Sequence, residues 1–246
     1  MKNQYESISA SYAEARKAPA TLYLEEPSVL GALGSVAGES AIDYACGTGY
    51  YTRLLRRLGA APVLGVDLSP EMIAVARAEE AASPLGVNYV VGDGAKEERF
   101  GSFDLATAVF LFNYADDKAT LAAMFSSVAA NLSDGGRLVA VVPNPGFVNG
   151  LRDTLDYGFY LEEIARRPDN LRVRMFFTGP APFSIEFTQW SRAAYEETMR
   201  RCGFEAIAWA PFSVSQEGLE KFGGDFWRAA LENPKSLVLS ARKTGG

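Results

Sequence analysis

Three aspartates at the ends of apolar runs have the type and spacing to hold a charged ligand in this 246-residue chain. Asp43 stands in AIDYA (41–45), just before Cys46-Gly47-Thr48-Gly49. Asp67 stands in PVLGVDL (62–68), and Asp93 ends VNYVVGD (87–93). A glycine-rich turn between a strand and a helix lets a ligand approach backbone N–H groups and the positive end of the helix. A pyrophosphate-binding turn would read G-x-G-x-x-G; Gly47 and Gly49 fit, but Thr52 takes the third place. A carboxylate at Asp43 is unfavourable beside a pyrophosphate and favourable near a cation. The expected ligand is therefore a nucleotide-like molecule with positive charge and no phosphate.

The elements that must position these acids alternate along the chain. AIDYA precedes the helix-like YYTRLLRRLG, and PVLGVDL precedes SPEMIAVARAEEAA, with Ser69 as a plausible N-cap and Pro70 at the first helical position. VNYVVGD follows, then FDLATAVFLF (103–112), a helix ending near Asn131-Leu132, and RLVAVVP (137–143) after the turn 133–136. Apolar runs alternating with amphipathic helices predict a doubly wound α/β domain with a parallel sheet and helices on both faces. The first forty residues read as helical, with a break near Lys17-Ala18-Pro19. Residues 147–167 also read as helical. RVRMFF (172–177) and FSIEFTQW (183–190) read as a hairpin or two extended lid strands, and 191–201 as a helix stopping at Gly203. FEAIAWA and SLVLSARK complete the strands, so an insertion separates the fifth strand from the sixth. It could arch over the crevice at the strands' carboxyl ends.

S-adenosylmethionine has the expected character: a sulfonium, an ammonium, and a carboxylate that the helix N-terminus after Gly49 could stabilise. Asp67 stands where a carboxylate would accept from ribose hydroxyls. Asp93 could accept from the adenine amino group, and Leu68 and Met72 could flank the ring. Cys46 fits the turn as a small, weakly polar residue. Together, AIDYACGTG, VLGVDLSPEMI, VVGDGA, FDLATAVFLFNYADD and LSDGGRLV resemble the class I S-adenosylmethionine-dependent methyltransferases over residues 41–143. The resemblance implies a Rossmann-like sheet of seven strands with the last antiparallel. It also implies one domain over 1–246, with an N-terminal helical lid (1–38) and a substrate-lid insertion (145–190). It gives Ala45 and Gly47 backbone contacts to the methionine portion, Asp67 the ribose, Asp93 and Gly94 the adenine, and Phe110 the methionine arm. Tyr12 resembles the aromatic residue of a lid helix that closes on the cofactor. VFLFNYADD, FTQWSRAAYEETMRRCGF and GGDFW are similar to a bacterial natural-product subgroup. That likeness implies a small planar heteroaromatic acceptor, N-methylation and secondary metabolism.

The candidate acceptor pocket is aromatic: Tyr5 and Tyr12 from the N-terminal segment, Phe110 and Tyr114 after the fourth strand, and Phe147, Phe177 and Trp190 from the insertion. Core packing is the competing reading of each ring, and the favoured one for Phe147 and Phe177. Asn113 either orients a heteroatom or caps the next helix. Arg192 reads as a solvated helix residue. The chain contains no histidine, which excludes histidine triads, histidine general bases and zinc–histidine sites. No catalytic base is assigned, and Tyr5 and Tyr12 are candidates for positioning alone. In-line methyl transfer can proceed through proximity, because an amine or ring nitrogen attacks through its lone pair and an acidic phenol or carboxylic acid arrives ionised.

A formal charge of −6 argues against a nucleic-acid surface, and Cys46 and Cys202 have no metal-ligand spacing. No apolar run is long enough to span a membrane, and MKNQYESISASY lacks a signal segment. The expectation is a cytoplasmic monomer or homodimer acting on a small molecule, without metal, membrane or nucleic acid. Three alternatives stand beside it. One is an NAD(P) oxidoreductase, suggested by the Y-x-x-x-K spacing of Tyr114 and Lys118. The others are O-methylation of a phenol or carboxylate, and a non-catalytic cofactor-binding or scaffold protein.

Overall fold

Each apolar run that leads to one of the three acids forms a parallel strand. The computed structural model describes residues 18–148, 157–178 and 182–245. In chain order the strands are β1 (Ala41–Tyr44), β2 (Val63–Asp67), β3 (Asn88–Val91), β4 (Phe103–Val109), β5 (Leu132–Pro143), β6 (Phe159–Arg167), β7 (Asn170–Phe177), β8 (Phe183–Trp190), β9 (Phe204–Pro211) and β10 (Ser236–Lys243). Seven of them form one sheet in the order β3-β2-β1-β4-β5-β10-β9. β1 to β5 run parallel, while β10 lies antiparallel to both β5 and β9. This is the expected seven-stranded, Rossmann-like arrangement. The chain reverses its direction of travel between β1 and β4, and that switch point opens a ligand crevice at the strands' carboxyl ends.

The helices are α1 (Glu26–Leu33), entered through a π-helical turn (Thr21–Glu25), α2 (Tyr50–Arg57), α3 (Pro70–Ala82), α4 (Lys118–Ala130), α5 (Arg192–Arg201), α6 (Gln216–Phe222) and α7 (Gly224–Glu232). Short polar side chains start several of them. Ser69 accepts from Met72 N at 3.2 Å, and Ser191 from Ala194 N at 3.1 Å, satisfying amides that a helix leaves unpaired. α5 ends at Arg201, with Cys202 as its C-cap and Gly203 following at φ 80°, as its sequence predicts. One core layer packs Phe112, Phe125, Tyr195 and Phe204 against the sheet; the other packs Val29, Leu33, Leu55, Ile73 and Trp227. Leu24, Val29 and Leu33 belong to this second core, so residues 24–33 of the stretch expected as a lid are core elements. Residues 1–17 of that stretch lie outside the described residues.

β6, β7 and β8 form a separate three-stranded antiparallel sheet between β5 and β9. The expected strands at 172–177 and 183–190 are present. The helix expected over 147–167 is contradicted at Phe159–Arg167, which is strand β6; residues 149–156 lie outside the described residues. LEEIARR has strong helical propensity. However, Phe159 and Leu161 alternate inward and pair with Phe177 and Met175, so tertiary burial overrides propensity. The small sheet buries its own cluster of Phe159, Leu161, Val173, Met175, Ile185 and Phe187. Among the described residues, no helix is long and apolar enough to cross a membrane.

Candidate active site

Asp43 is the most enclosed of the three acids, at 1% exposure. The sheet register sets it opposite Gly65 in β2 and Thr107 in β4. Thr107 donates its hydroxyl to Oδ1 at 2.7 Å, and Thr52, on α2, donates to Oδ2 at 2.7 Å. Gly65 makes room for this: a Cβ there would stand 2.8 Å from Thr52 Oγ1 and 2.7 Å from the Tyr89 ring. Burial outweighs the two hydroxyls and pushes the Asp43 carboxyl up to about 6. Both oxygens are engaged by the protein, so Asp43 acts on a ligand through its charge and by fixing the turn.

Among the described residues, nothing covers the turn at Gly47. Ala45, Gly47 and Gly49 have φ of 54°, 56° and 89°. A Cβ on Gly47 would meet nothing within 4 Å among the described residues, whereas one on Gly49 would collide with Tyr89 Oη at 2.3 Å. Glycine is thus required at 49 by both conformation and contact. Tyr89 underpins the turn, and its buried hydroxyl has no hydrogen-bond partner among the described residues. Cys46 is buried and its thiol is pushed well above its ordinary value by that burial, so it packs the turn rather than serving as a thiolate.

Asp67 links the turn to the next strand end. Its Oδ2 accepts from Gly47 N at 2.8 Å and its Oδ1 from Ser69 N at 2.9 Å. Burial raises its carboxyl, opposed by those backbone amides. Leu68 beside it is exposed at 38%, while Met72 is buried at 2%. Asp93, partly buried, accepts from Ala95 N at 2.9 Å, and Gly94 follows it against Leu111.

Across the switch point, Phe110 takes φ 60° directly after β4 and donates its N–H to Val141 O at 2.9 Å. Ala45 and Phe110 therefore follow neighbouring strands, both in a conformation that costs a non-glycine residue energy. Asn113 lies in the 3₁₀ turn Phe112–Tyr114, 2% exposed, with its Oδ1 unpartnered among the described residues. It does not cap α4, because Asp117 does so by accepting from Thr120 N at 2.7 Å. Tyr114 packs against the small sheet, and Lys118 pairs with Asp169 at 2.8 Å, so the Y-x-x-x-K spacing is shared with a structural ion pair.

The insertion is fastened beside this crevice. Trp190 Nε1 donates to Ala115 O at 3.2 Å, Gln189 Nε2 to Asn144 O, and Arg172 pairs with Asp116 at 2.5 Å. Trp190 itself is 1% exposed within the main core, which corrects its assignment to the pocket wall: the ring anchors the insertion. Phe177 stacks on Phe183 at 4.3 Å, and Phe147 packs beside the small sheet. Arg192 lies over the exposed-edge Trp209 at 5.0 Å. Tyr5 and Tyr12 lie outside the described residues. Lys235 was not anticipated: its Nζ lies 5.9 Å from the Phe110 ring centre. PKSLVLS contains no motif that marks it. Thr52 and Thr107 also escape sequence reading, because only strand register reveals their partner.

The residues present fit S-adenosylmethionine. The open ledge at Gly47, the Asp67 carboxylate against it and the partly buried Asp93 at the next strand end offer a cradle, a ribose partner and an adenine partner.

Residues 41–136 match the family described as a methyltransferase domain. A ribosomal protein L11 methyltransferase of Burkholderia vietnamiensis is 34% identical over 101 residues, 41% of this chain and 31% of the relative. The chain thus spans about a third of the length of that curated relative. A Mesorhizobium loti S-adenosylmethionine-dependent methyltransferase superposes with a TM-score of 0.64 at 23% identity, covering 93% of this chain and 100% of the other. The sugar N-methyltransferase KedS8 from Streptoalloteichus superposes with a TM-score of 0.65 at 20% identity, covering 98% and 94%. The matched domain and the sheet order agree: residues 41–136 match a methyltransferase domain, and the sheet around them has the Rossmann-like methyltransferase fold.

Proposed function

We propose that this chain transfers a methyl group from S-adenosylmethionine to a small, planar heteroaromatic acceptor, by N-methylation in bacterial secondary metabolism. The observation that carries the reading is the aromatic insertion fastened beyond the carboxyl ends of β4 and β5 through Ala115, Asp116 and Asn144. A ring-rich surface at that position suits a flat acceptor. The 101-residue match to the L11 methyltransferase spans less than half of this chain and so does not transfer its protein acceptor.

When bound, the cofactor supplies an electrophilic methyl on a sulfonium. The turn at Ala45 and Gly47 would hold the methionine portion, Asp67 the ribose, and Asp93 with Gly94 the adenine. Asp43 supplies negative charge beneath the turn. Phe110, Asn113, Tyr114, Phe147 and Phe177 would line the acceptor side, with Tyr5 and Tyr12 closing it. Asn113 Oδ1 supports this, because a buried acceptor without a partner is costly unless a ligand satisfies it. The aromatic walls exclude water, and positioning supplies much of the rate. A ring nitrogen attacking through its lone pair needs no base beforehand, consistent with a chain that has no histidine. The protein acts in the cytoplasm as a monomer or homodimer in this reading.

The test combines calorimetry with S-adenosylhomocysteine and mass spectrometry of planar heteroaromatic amines incubated with the chain and methyl-labelled donor. A labelled N-methyl product supports the proposal. Labelled phenols or carboxylates alone would move the acceptor assignment to O-methylation. Cofactor binding with no product from any acceptor would support a non-catalytic role.

A further inference from the structure

Among the described residues, the buried side-chain atoms without a hydrogen-bond partner are Arg53 Nε, Tyr89 Oη, Asn113 Oδ1, Ser127 Oγ and Tyr195 Oη. Four of them have a local account. Arg53 Nε lies 3.1 Å from the Glu79 carboxylate. Ser127 stands within α4, where a hydroxyl can bond a carbonyl of the preceding turn. Tyr195 meets the Phe125 and Trp209 rings in the core, and Tyr89 fills the space beneath Gly49 and Gly65. Asn113 has no such account. Its Oδ1 can only accept, and its residue is 2% exposed. The turn that carries it is held from both sides. Phe112 stacks on Phe125 at 3.9 Å in the main core, Tyr114 packs against the cluster of the small sheet, and Ala115 O accepts from Trp190 Nε1. Within the turn, Tyr114 N donates to Leu111 O at 3.1 Å and Ala115 N to Phe112 O at 3.3 Å. The same segment begins at Phe110, directly after β4, the strand beside β1 and its donor turn. Asn113 thus stands on a fixed turn between the donor side and the insertion. A ligand N–H would satisfy its Oδ1, whereas an ether oxygen or a methyl in the same place would leave it unpaired. Sites built around such a group reject the analogue that lacks the matching donor.

We propose that Asn113 is a specificity residue for the acceptor. Its Oδ1 accepts a hydrogen bond from an N–H of the heteroaromatic ring system, so the chain selects acceptors with a ring N–H or an exocyclic amino group over isosteres with oxygen or methyl there. This rests on the methyltransferase reading and adds a required donor to its acceptor class. The bond is one of recognition: the nitrogen that carries this hydrogen need not be the one methylated.

The full chain is titrated calorimetrically, with and without S-adenosylhomocysteine, using two isosteric pairs: benzimidazole against benzoxazole, and 2-aminoquinoxaline against 2-methylquinoxaline. All four probes are uncharged at neutral pH. In at least one pair the N–H member is expected to bind at least about tenfold more tightly. Asn113→Leu, of similar size and without the oxygen, brings that pair to one affinity at an unchanged or higher thermal midpoint. Asn113→Asp keeps an oxygen acceptor and retains the preference. An unmodified chain that shows the preference in neither pair, or binds none of the four probes, overturns the proposal, as does a preference that survives Asn113→Leu. Should Asn113→Leu not fold, Asn113→Asp decides, since loss of the preference there overturns it. Failure to bind S-adenosylhomocysteine would overturn the donor reading instead, and the pair ratios without it are read independently.

Discussion

Asp67 couples the donor turn to the second strand by accepting from the Gly47 and Ser69 amides at once. Its carboxylate is already oriented before any ribose arrives, which reduces the ordering that binding must impose. Asp67→Ala orphans both amides and, in the proposed role, removes the partner of the ribose. S-adenosylhomocysteine affinity should fall by about 1–3 kcal/mol, the usual cost of leaving buried polar groups unpaired. Calorimetry checks this, and unchanged affinity would refute the ribose role. Tyr89 gives the opposite sign. Its ring fills the space that Gly49 and Gly65 leave, but its hydroxyl is buried without a partner. Tyr89→Phe keeps the ring and removes an unsatisfied group. The thermal midpoint should therefore hold or rise, by up to about 1 kcal/mol in stability. A clear fall would mean that the hydroxyl contributes a bond.

At the scale of elements, the insertion is a sheet with its own apolar cluster, joined to the main body through Trp190, Gln189 and Arg172 among the described residues. Trp190 is the deepest of them, buried against Ala115 and the core around Phe112. Trp190→Ala should lower global stability by about 3–5 kcal/mol, the range for removing a large buried ring. Urea unfolding would show it. A variant of unchanged stability with weakened acceptor binding would return Trp190 to the pocket wall. The parallel half of the fold was legible in the sequence because its acids and glycines fall at strand ends, where pattern and chemistry coincide. β6 was not, because LEEIARR favours a helix locally and becomes a strand only through pairing with β7. The Asp43–Thr52–Thr107 cluster was half legible: the acid is visible, but its hydroxyl partners follow from the register of β1 against β4. Lys235 was hidden for a related reason. Only the antiparallel return of β10 beside β5 brings it to the crevice.

At the scale of the whole molecule, Asp43 sets stability and donor binding against each other. Its carboxyl shifts from 3.8 to about 6 on folding because burial disfavours the charge. Between those values the folded chain binds more protons than the unfolded one, so this group's contribution to stability falls as pH rises through 6. Above pH 6 the buried charge costs on the order of 3 kcal/mol, which is regained as pH falls towards 3.8. Other carboxylates titrate in both the native chain and Asp43→Asn, so the difference between the two proteins isolates this residue. Urea unfolding from pH 8 to pH 4.5 should shift that difference towards the native chain as pH falls through 6. A difference that stays constant over the range would place the Asp43 carboxyl near its ordinary value. Protonation also removes the negative charge beneath the donor turn. S-adenosylmethionine carries a sulfonium and S-adenosylhomocysteine a neutral sulfur, so their affinity ratio should fall over the same pH window. Stability rising while that ratio falls, with both midpoints near 6, would identify one carboxylate as the source of both effects. Midpoints well separated in pH would assign them to different groups.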